Sequence, residues 1–306
     1  MKDLTPPEEN SSTQTGQVTA ATQRRHSTMH NIKLIALDLD GTLLNSDKQL
    51  SEENKAALTR AASEGIEIVP ATGRFYKGMP QIIRDLPFVN YVISINGAQV
   101  YDVKNGKTVC GSEIPWERAV SVMEFLDGID VIYDCYQDGW GRMTQRLYDM
   151  AEEYAANIHS LEMIKKLRTP VPELKACIEE RKSGVQKIQA FFRDMDLRAE
   201  MLKKLPLEFP DLVVTTSIVN NIEINSREAT KGNAVEKLAA HLGISVSQAM
   251  TFGDDYNDIT MLEKAGIGVA MGNANEEVKK AADYVTADCN DSGVAAAMKH
   301  FLWENE

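Results

Sequence analysis

The sequence predicts an α/β fold, a doubly wound parallel sheet with an α+β domain inserted into it, and three stretches carry that reading. Residues 32–37 and 66–71 are strand-length apolar runs separated by a helix-length segment. Such a strand–helix–strand unit implies parallel pairing and a right-handed crossover. The same rhythm resumes at Lys231 and continues to the end of the chain. The stretch between reads differently, as strands that alternate apolar and polar residues and form an antiparallel sheet with one face against helices. A chain of 306 residues accommodates roughly two domains of 100–200 residues each. The expected division is a core of 29–110 plus 226–306, an insertion of 111–225, and a disordered tail of 1–28.

Each element has a local reason. Ser51 is the N-cap of a helix running to about Ser63, and Gly65 sits where that helix stops. Pro70 is tolerable at the end of the second strand but not inside it. Residues 91–95 form a third strand leading into Asn96-Gly97-Ala98. Pro115 opens an amphipathic helix over 116–126, residues 131–137 alternate, and Asp138-Gly139-Trp140-Gly141 is a turn. The pattern then predicts a helix over 147–158, a strand over 187–193, a helix over 197–205, and strands over 212–216 and 221–225. After Lys231 it predicts a helix over 232–241 stopped by Gly243, a strand over 249–252 and a helix over 257–264. A strand over 268–271, a helix over 276–282, a strand over 284–286 and a last helix follow.

Composition narrows the function. The chain is 43% hydrophobic and 25% charged, as ordinary globular proteins are. Its net charge of −12 argues against a nucleic-acid surface, which needs basic stripes. An anionic small molecule stays open, because a metal and one lysine reverse the local field. Charges interrupt every apolar run well before membrane-spanning length, and the first residues contain no apolar signal segment. The tail reads as disordered or as upstream sequence, with Met29 a natural start. Cys110, Cys135, Cys177 and Cys289 are scattered, so reduced thiols and a cytoplasmic setting are expected. A monomer or weak homo-oligomer is expected.

Four segments carry chemistry. Asp38 and Asp40 lie two residues apart where an apolar run meets a glycine turn. Two carboxylates at the carboxyl end of a strand point into the crevice where α/β proteins bind ligands. There they can hold a divalent cation, and one can attack phosphorus while the other handles a proton. A calcium loop is the competing reading, but it requires helical flanks and a later glutamate that this segment lacks. Thr72 and Gly73 sit at the next strand end and offer a hydroxyl and backbone N–H groups to phosphate oxygens. Lys231 begins a helix, where a cation opposes the helix dipole unless it reaches an anion. Asp254, Asp255, Asn257 and Asp258 follow another strand; they suit a helix start and equally an oxygen-rich Mg²⁺ shell.

As a set, Asp-Leu-Asp-Gly-Thr-Leu-Leu, Ala-Thr-Gly-Arg, Asn-Gly-Ala, Thr-Lys-Gly-Asn-Ala and Gly-Asp-Asp-Tyr-Asn-Asp-Ile-Thr-Met-Leu resemble the haloacid dehalogenase superfamily. More narrowly, they are similar to its Cof-type, subfamily IIB sugar-phosphatase-like branch, in order over about 32–300. The resemblance implies a Rossmann-like core with a cap inserted between the threonine and lysine motifs. It implies an Mg²⁺-dependent phosphatase acting on a small phosphorylated metabolite, a sugar phosphate or phosphorylated cofactor, through an aspartyl-phosphate. Asp38 would be nucleophile and metal ligand, and Asp40 acid/base and, through its carbonyl, a ligand too. Asp254 would complete the metal shell, supported by Asp255 or Asp258. Leu39 (through its N–H), Thr72, Gly73, Lys231 and Asn257 would hold phosphate. Tyr136, Asp138, Trp140 and Arg142, near the cap turn, are the expected specificity residues. A phosphomutase using the same aspartates and a non-catalytic phosphometabolite-binding protein are the alternatives.

Overall fold

The computed structural model describes residues 31–304, so the expected tail at 1–28 lies outside the described residues. The chain opens with β1 (Leu34–Leu37), whose four side chains are all buried. Ile35 and Leu37 face one core cluster, and Leu34 and Ala36 face another on the opposite side. A strand covered on both faces is the signature of a parallel sheet between helical layers. Ser51 caps the next helix, Glu52–Ser63, by accepting the Asn54 N–H. Gly65 then turns the chain with φ of 86° into β2 (Glu67–Pro70). Pro70 is its last residue, where no ladder donor is lost.

The third strand lies where it is expected, but two strands that were not expected follow it. β3 (Tyr91–Ser94) pairs antiparallel with β4 (Gln99–Asp102), which pairs with β5 (Lys107–Gly111). This small sheet meets the main one through a parallel bridge between Ala71 and Ile93, where the Thr72 N–H donates to Ile93 O at 2.8 Å. The motif Asn96-Gly97 makes the reversal, with φ of 54° and 99°. A Cβ on Gly97 would lie 2.2 Å from Thr230 O, so the tight turn also lets the lysine-bearing segment approach.

Helix Trp116–Asp127 enters the inserted region, with Pro115 as its N-cap. There follow β6 (Ile132–Gln137), β7 (Trp140–Thr144), β8 (Arg168–Val171), β9 (Lys187–Phe191), β10 (Leu212–Thr215) and β11 (Asn221–Ser226). They form one sheet in the order β10-β11-β9-β6-β7-β8, antiparallel except for the β7–β8 pair. The expected helix over 147–158 is replaced by Gln145–Asp149 and Ala151–Tyr154. Asn157 and Ser160 then form a reciprocal capping box that starts a new helix, Ile158–Leu167. The expected polar outer face is also corrected. Every residue of β6 and β9 is buried, including Asp134, Lys187 and Gln189. Lys187 and Gln189 line a partly closed chamber, and Asp134 pairs with Arg168 beside it.

Helix Lys231–His241 returns the chain to the main sheet through β12 (Ala249–Gly253), β13 (Ile267–Ala270) and β14 (Tyr284–Val285). The sheet order is β14-β13-β12-β1-β2, parallel throughout. The chain leaves β1 toward β2 on one side and later fills the other side with β12. The carboxyl ends of β1 and β12 therefore flank the point where strand order reverses, the usual ligand crevice of such sheets. No described helix is long and apolar enough to cross a membrane.

Candidate active site

β1 and β12 leave the sheet side by side. Leu37 is the register partner of Phe252, and the Asp38 N–H donates to Phe252 O at 3.0 Å. Asp38 and Asp254 thus emerge at one crevice from sequence positions over two hundred residues apart. One carboxylate oxygen each from Asp38, Asp254 and Asp258 lie within 4.8 Å of one another. Glycine makes the approach: Gly41 has φ of 96°, and a Cβ there would sit 2.4 Å from Asp254 Oδ2. Thr42, fully buried, donates its hydroxyl to Asp254 Oδ1 at 2.7 Å.

Lys231 lies at the centre of this acidic group. It is fully buried, and its Nζ is 2.5 Å from both Asp38 Oδ1 and Asp258 Oδ1. A lysine at a helix start, against the dipole, is accounted for by these two anions. Burial opposes its charge, but Asp38 and Asp258 outweigh burial and hold the ammonium above its ordinary range. Asp258 is fully engaged, because its other oxygen accepts the N–H groups of Asp254 (3.0 Å) and Asp255 (3.1 Å). The second oxygens of Asp38 and Asp254 accept no hydrogen bond from a described residue. Burial pushes Asp38 up to about 7, with Lys231 opposing and Asp258 adding. Burial likewise pushes Asp254 up to about 6, against the Thr42 hydrogen bond. Three carboxylates facing one ammonium leave uncompensated negative charge, and the open ligands are hard oxygens. Both features fit Mg²⁺.

Asp40 stands apart from that group. Arg74 Nε and Nη2 donate to its two oxygens at 2.9 and 3.1 Å, and Lys48 Nζ lies 3.0 Å away. Partial burial raises its pKa, but these cations outweigh burial and hold the carboxyl below its ordinary range. Asp255 is outside the acidic group as well; its carboxylate accepts the Tyr256 N–H at 2.8 Å.

The remaining motif residues rim the crevice. Thr72 is buried, and its hydroxyl accepts the Arg74 N–H. The Leu39 N–H has no backbone acceptor among the described residues. Gly73, Asn257 and Asp255 line a chamber of about 860 Å³ that runs from these loops to the buried face of the inserted sheet. Asn257 Nδ2 donates to Asn96 Oδ1 at 3.0 Å. Of the four expected specificity residues, Tyr136 lines the chamber. Trp140 instead packs edge-on against Phe75 at 5.7 Å and donates its indole N–H to Thr169. Asp138 occupies the hairpin turn with φ of 54° and pairs with Arg181, while Arg142 donates to Gln137 O. Neither lines the chamber.

Sequence reasoning passed over several residues that the structure brings here. Arg74 and Thr42 lie inside the very motifs that singled out their neighbours. Lys48 has φ of 61°, a rare left-handed conformation that turns it toward Asp40, and the sequence carries no signal for it. Arg168, Lys187, Gln189 and Glu223 line the chamber from three strands. For Lys187, Gln189 and Glu223 the trace in sequence is a polar residue at alternate positions of an otherwise apolar strand.

The family model of the haloacid dehalogenase-like hydrolases matches residues 35–298. Phosphatase YwpJ of Bacillus subtilis is 33% identical over 295 residues, covering 89% of this chain and all of the relative. The 5-amino-6-(5-phospho-D-ribitylamino)uracil phosphatase YcsE of the same organism is 32% identical, covering 89% of this chain and 96% of the relative. Among solved structures, the HAD subclass IIB sugar phosphatase BT4131 superposes with a TM-score of 0.66 at 27% identity, covering 88% of this chain and 98% of that one. The chain belongs to the haloacid dehalogenase-like hydrolases and is a phosphoric monoester hydrolase of that family.

Proposed function

We propose that this enzyme hydrolyses a small phosphorylated metabolite, a sugar phosphate or phosphorylated cofactor, with Asp38 as nucleophile. The observation that carries the reading is the convergence of Asp38, Asp254 and Asp258 at the switch point of the sheet, with Lys231 bonded to Asp38 and Asp258. We take 29–110 with 226–306 as the catalytic core and 111–225 as a cap that closes the chamber and limits water. All four cysteines are free, which supports a cytoplasmic setting.

Asp38, Asp254 and the Asp40 carbonyl would hold Mg²⁺, whose chemistry there is neutralisation of phosphoryl charge. Asp258 acts through others: it anchors Lys231 and the backbone that presents Asp254. Lys231 neutralises equatorial phosphoryl oxygens, and Thr72, Gly73, Asn257 and the Leu39 N–H orient them. Asp38 attacks phosphorus in line, forming the new O–P bond as the ester O–P bond breaks. Asp40 gives a proton to the leaving oxygen, then takes one from the water that cleaves the acyl phosphate. As found, Asp40 is ionised and ready as base; its pairing with Arg74 and Lys48 has to loosen before it carries the first proton.

Asp38→Asn tests the assignment. It should abolish release of p-nitrophenol from p-nitrophenyl phosphate while circular dichroism stays that of wild type. Turnover at the wild-type rate would remove Asp38 from the role. Free phosphate rather than an isomerised sugar phosphate among the products separates a phosphatase from a mutase.

A further inference from the structure

The cap side of the chamber has a chemistry that the phosphoryl reaction does not use. Arg168, Lys187, Asp134 and Glu223 are each at most 5% exposed, although all four are ordinarily charged. Buried charges persist when they are paired. Arg168 Nε donates to Asp134 Oδ2 at 2.8 Å, and Lys187 Nζ donates to Glu223 Oε1 at 3.0 Å. Arg168, Lys187 and Glu223 line the chamber, and Asp134 pairs with Arg168 without lining it, so the two cations are matched by two anions. This differs from the basic cluster that recognition of a second phosphate needs.

Asp134 Oδ1 and Arg168 Nη1 are buried without a partner, and Glu223 is the one carboxylate of the group that lines the chamber. Its Oε1 accepts three donors: Lys187 Nζ, Gln189 Nε2 at 2.9 Å and Ser217 Oγ at 2.7 Å. Its Oε2 accepts none from a described residue, although Glu223 lines the chamber. Burial would push this carboxyl up, but Lys187 and Ser217 more than offset it and keep it ionised. The surrounding frame is fixed. Asn221 Oδ1 accepts the N–H groups of Ser217 and Ile218, and its Nδ2 donates to Ser217 Oγ, which holds Ser217 against Glu223. A carboxylate held rigid in a partly closed chamber, with one oxygen open, binds a hydroxyl or N–H and repels an anion.

We propose that Glu223 reads the leaving group. Its open oxygen receives a hydroxyl or N–H of that group, so the enzyme favours phosphomonoesters with uncharged, donor-rich leaving groups. It discriminates against those bearing a second phosphate or a carboxylate. This inference rests on the phosphatase reading and narrows its substrate class.

The test compares matched pairs: a hexose monophosphate with the corresponding bisphosphate, and glycerol phosphate with phosphoglycerate. Phenyl phosphate, whose leaving group offers no donor beyond the reacting oxygen, is the reference. For wild type the uncharged member of each pair should have a kcat/KM at least about tenfold higher, the scale of one charge-assisted hydrogen bond. Glu223→Gln replaces the open acceptor with a donor and should lower each ratio about tenfold. A ratio measured on one preparation does not depend on how much of it is folded. The pair Lys187→Met with Glu223→Gln, which leaves no unmatched buried cation, should show the same collapse. Equal kcat/KM within the wild-type pairs, or ratios unchanged in both variants, would overturn the role of Glu223 and leave the phosphatase reading intact, provided phenyl phosphate is hydrolysed. No phosphate released from any ester, phenyl phosphate included, would overturn both.

Discussion

Replacing Asp258 by asparagine isolates the residue on which the geometry of the site depends. The side chain is fully buried, and each oxygen has a distinct duty. One is 2.5 Å from Lys231 Nζ, and the other accepts the N–H groups of Asp254 and Asp255. Asparagine has one acceptor oxygen, so its NH₂ must face either the ammonium or the two amides. Either choice sets donor against donor. Breaking one side of a buried ion pair costs about 3–5 kcal/mol. Lys231 keeps Asp38, so the lower end, about 3 kcal/mol, is expected. For folding units of this size that corresponds to a fall in Tm of roughly 6–12 °C. Thermal unfolding followed by circular dichroism reads the shift. A double-mutant cycle with Lys231→Met reads the coupling, which should make the double variant less destabilised than the sum of the singles. A Tm within about 2 °C of wild type, or strict additivity, would refute the argument that Asp258 anchors Lys231.

Three further expectations follow from the same geometry. Asp40→Asn should slow turnover most for alkyl phosphates and least for p-nitrophenyl phosphate, because only poor leaving groups need the proton; equal losses would count against the acid role. Asp38 and Asp254 hold protons more tightly in the folded chain, at about 7 and about 6, than at their ordinary 3.8. The unfolded chain therefore releases those protons first, and the metal-free protein should lose stability as pH rises from about 4 to about 7; a melting temperature that climbs across that window would contradict the burial of these carboxyls. Chelation with EDTA should abolish phosphatase activity and Mg²⁺ should restore it, with a stabilisation by Mg²⁺ that is larger at pH about 8 than at about 5; activity insensitive to EDTA would remove the metal from the account.

The parts legible in the sequence were those set by local chemistry. Ser51, Gly65, Pro70 and Gly243 marked element ends because capping, positive φ and a missing donor act within a few residues. The doubly wound core was legible because its strands are apolar on both faces. The acidic group was legible because Asp38 directly follows one apolar run, and Asp254 and Asp258 lie in the short acidic segment after another. What escaped depends on partners distant in the chain. β4, β5, β7 and β8 are short and polar enough to resemble turns, and only their neighbours make them strands. The pattern over 147–158 carries one helix through Asn157, whereas its reciprocal cap with Ser160 starts a new helix there. Asp138, Trp140 and Arg142 were grouped with Tyr136 by proximity in sequence, but alternation along the strand and the hairpin turn send them elsewhere. Glu223 and Lys187 were invisible as a pair, since β9 and β11 meet only in the folded sheet.

In the proposed reaction the phosphoryl group passes through a covalent bond to Asp38. Rapid quench of the Asp40→Asn variant with p-nitrophenyl phosphate, followed by peptide mass spectrometry, tests it most directly, because that variant should slow hydrolysis of the acyl phosphate. One added HPO₃ is expected on the peptide containing Asp38, sensitive to hydroxylamine and missing when Asp38 is also replaced by Asn. Release of p-nitrophenol with no such adduct on Asp38, or an adduct on a different residue, would contradict it.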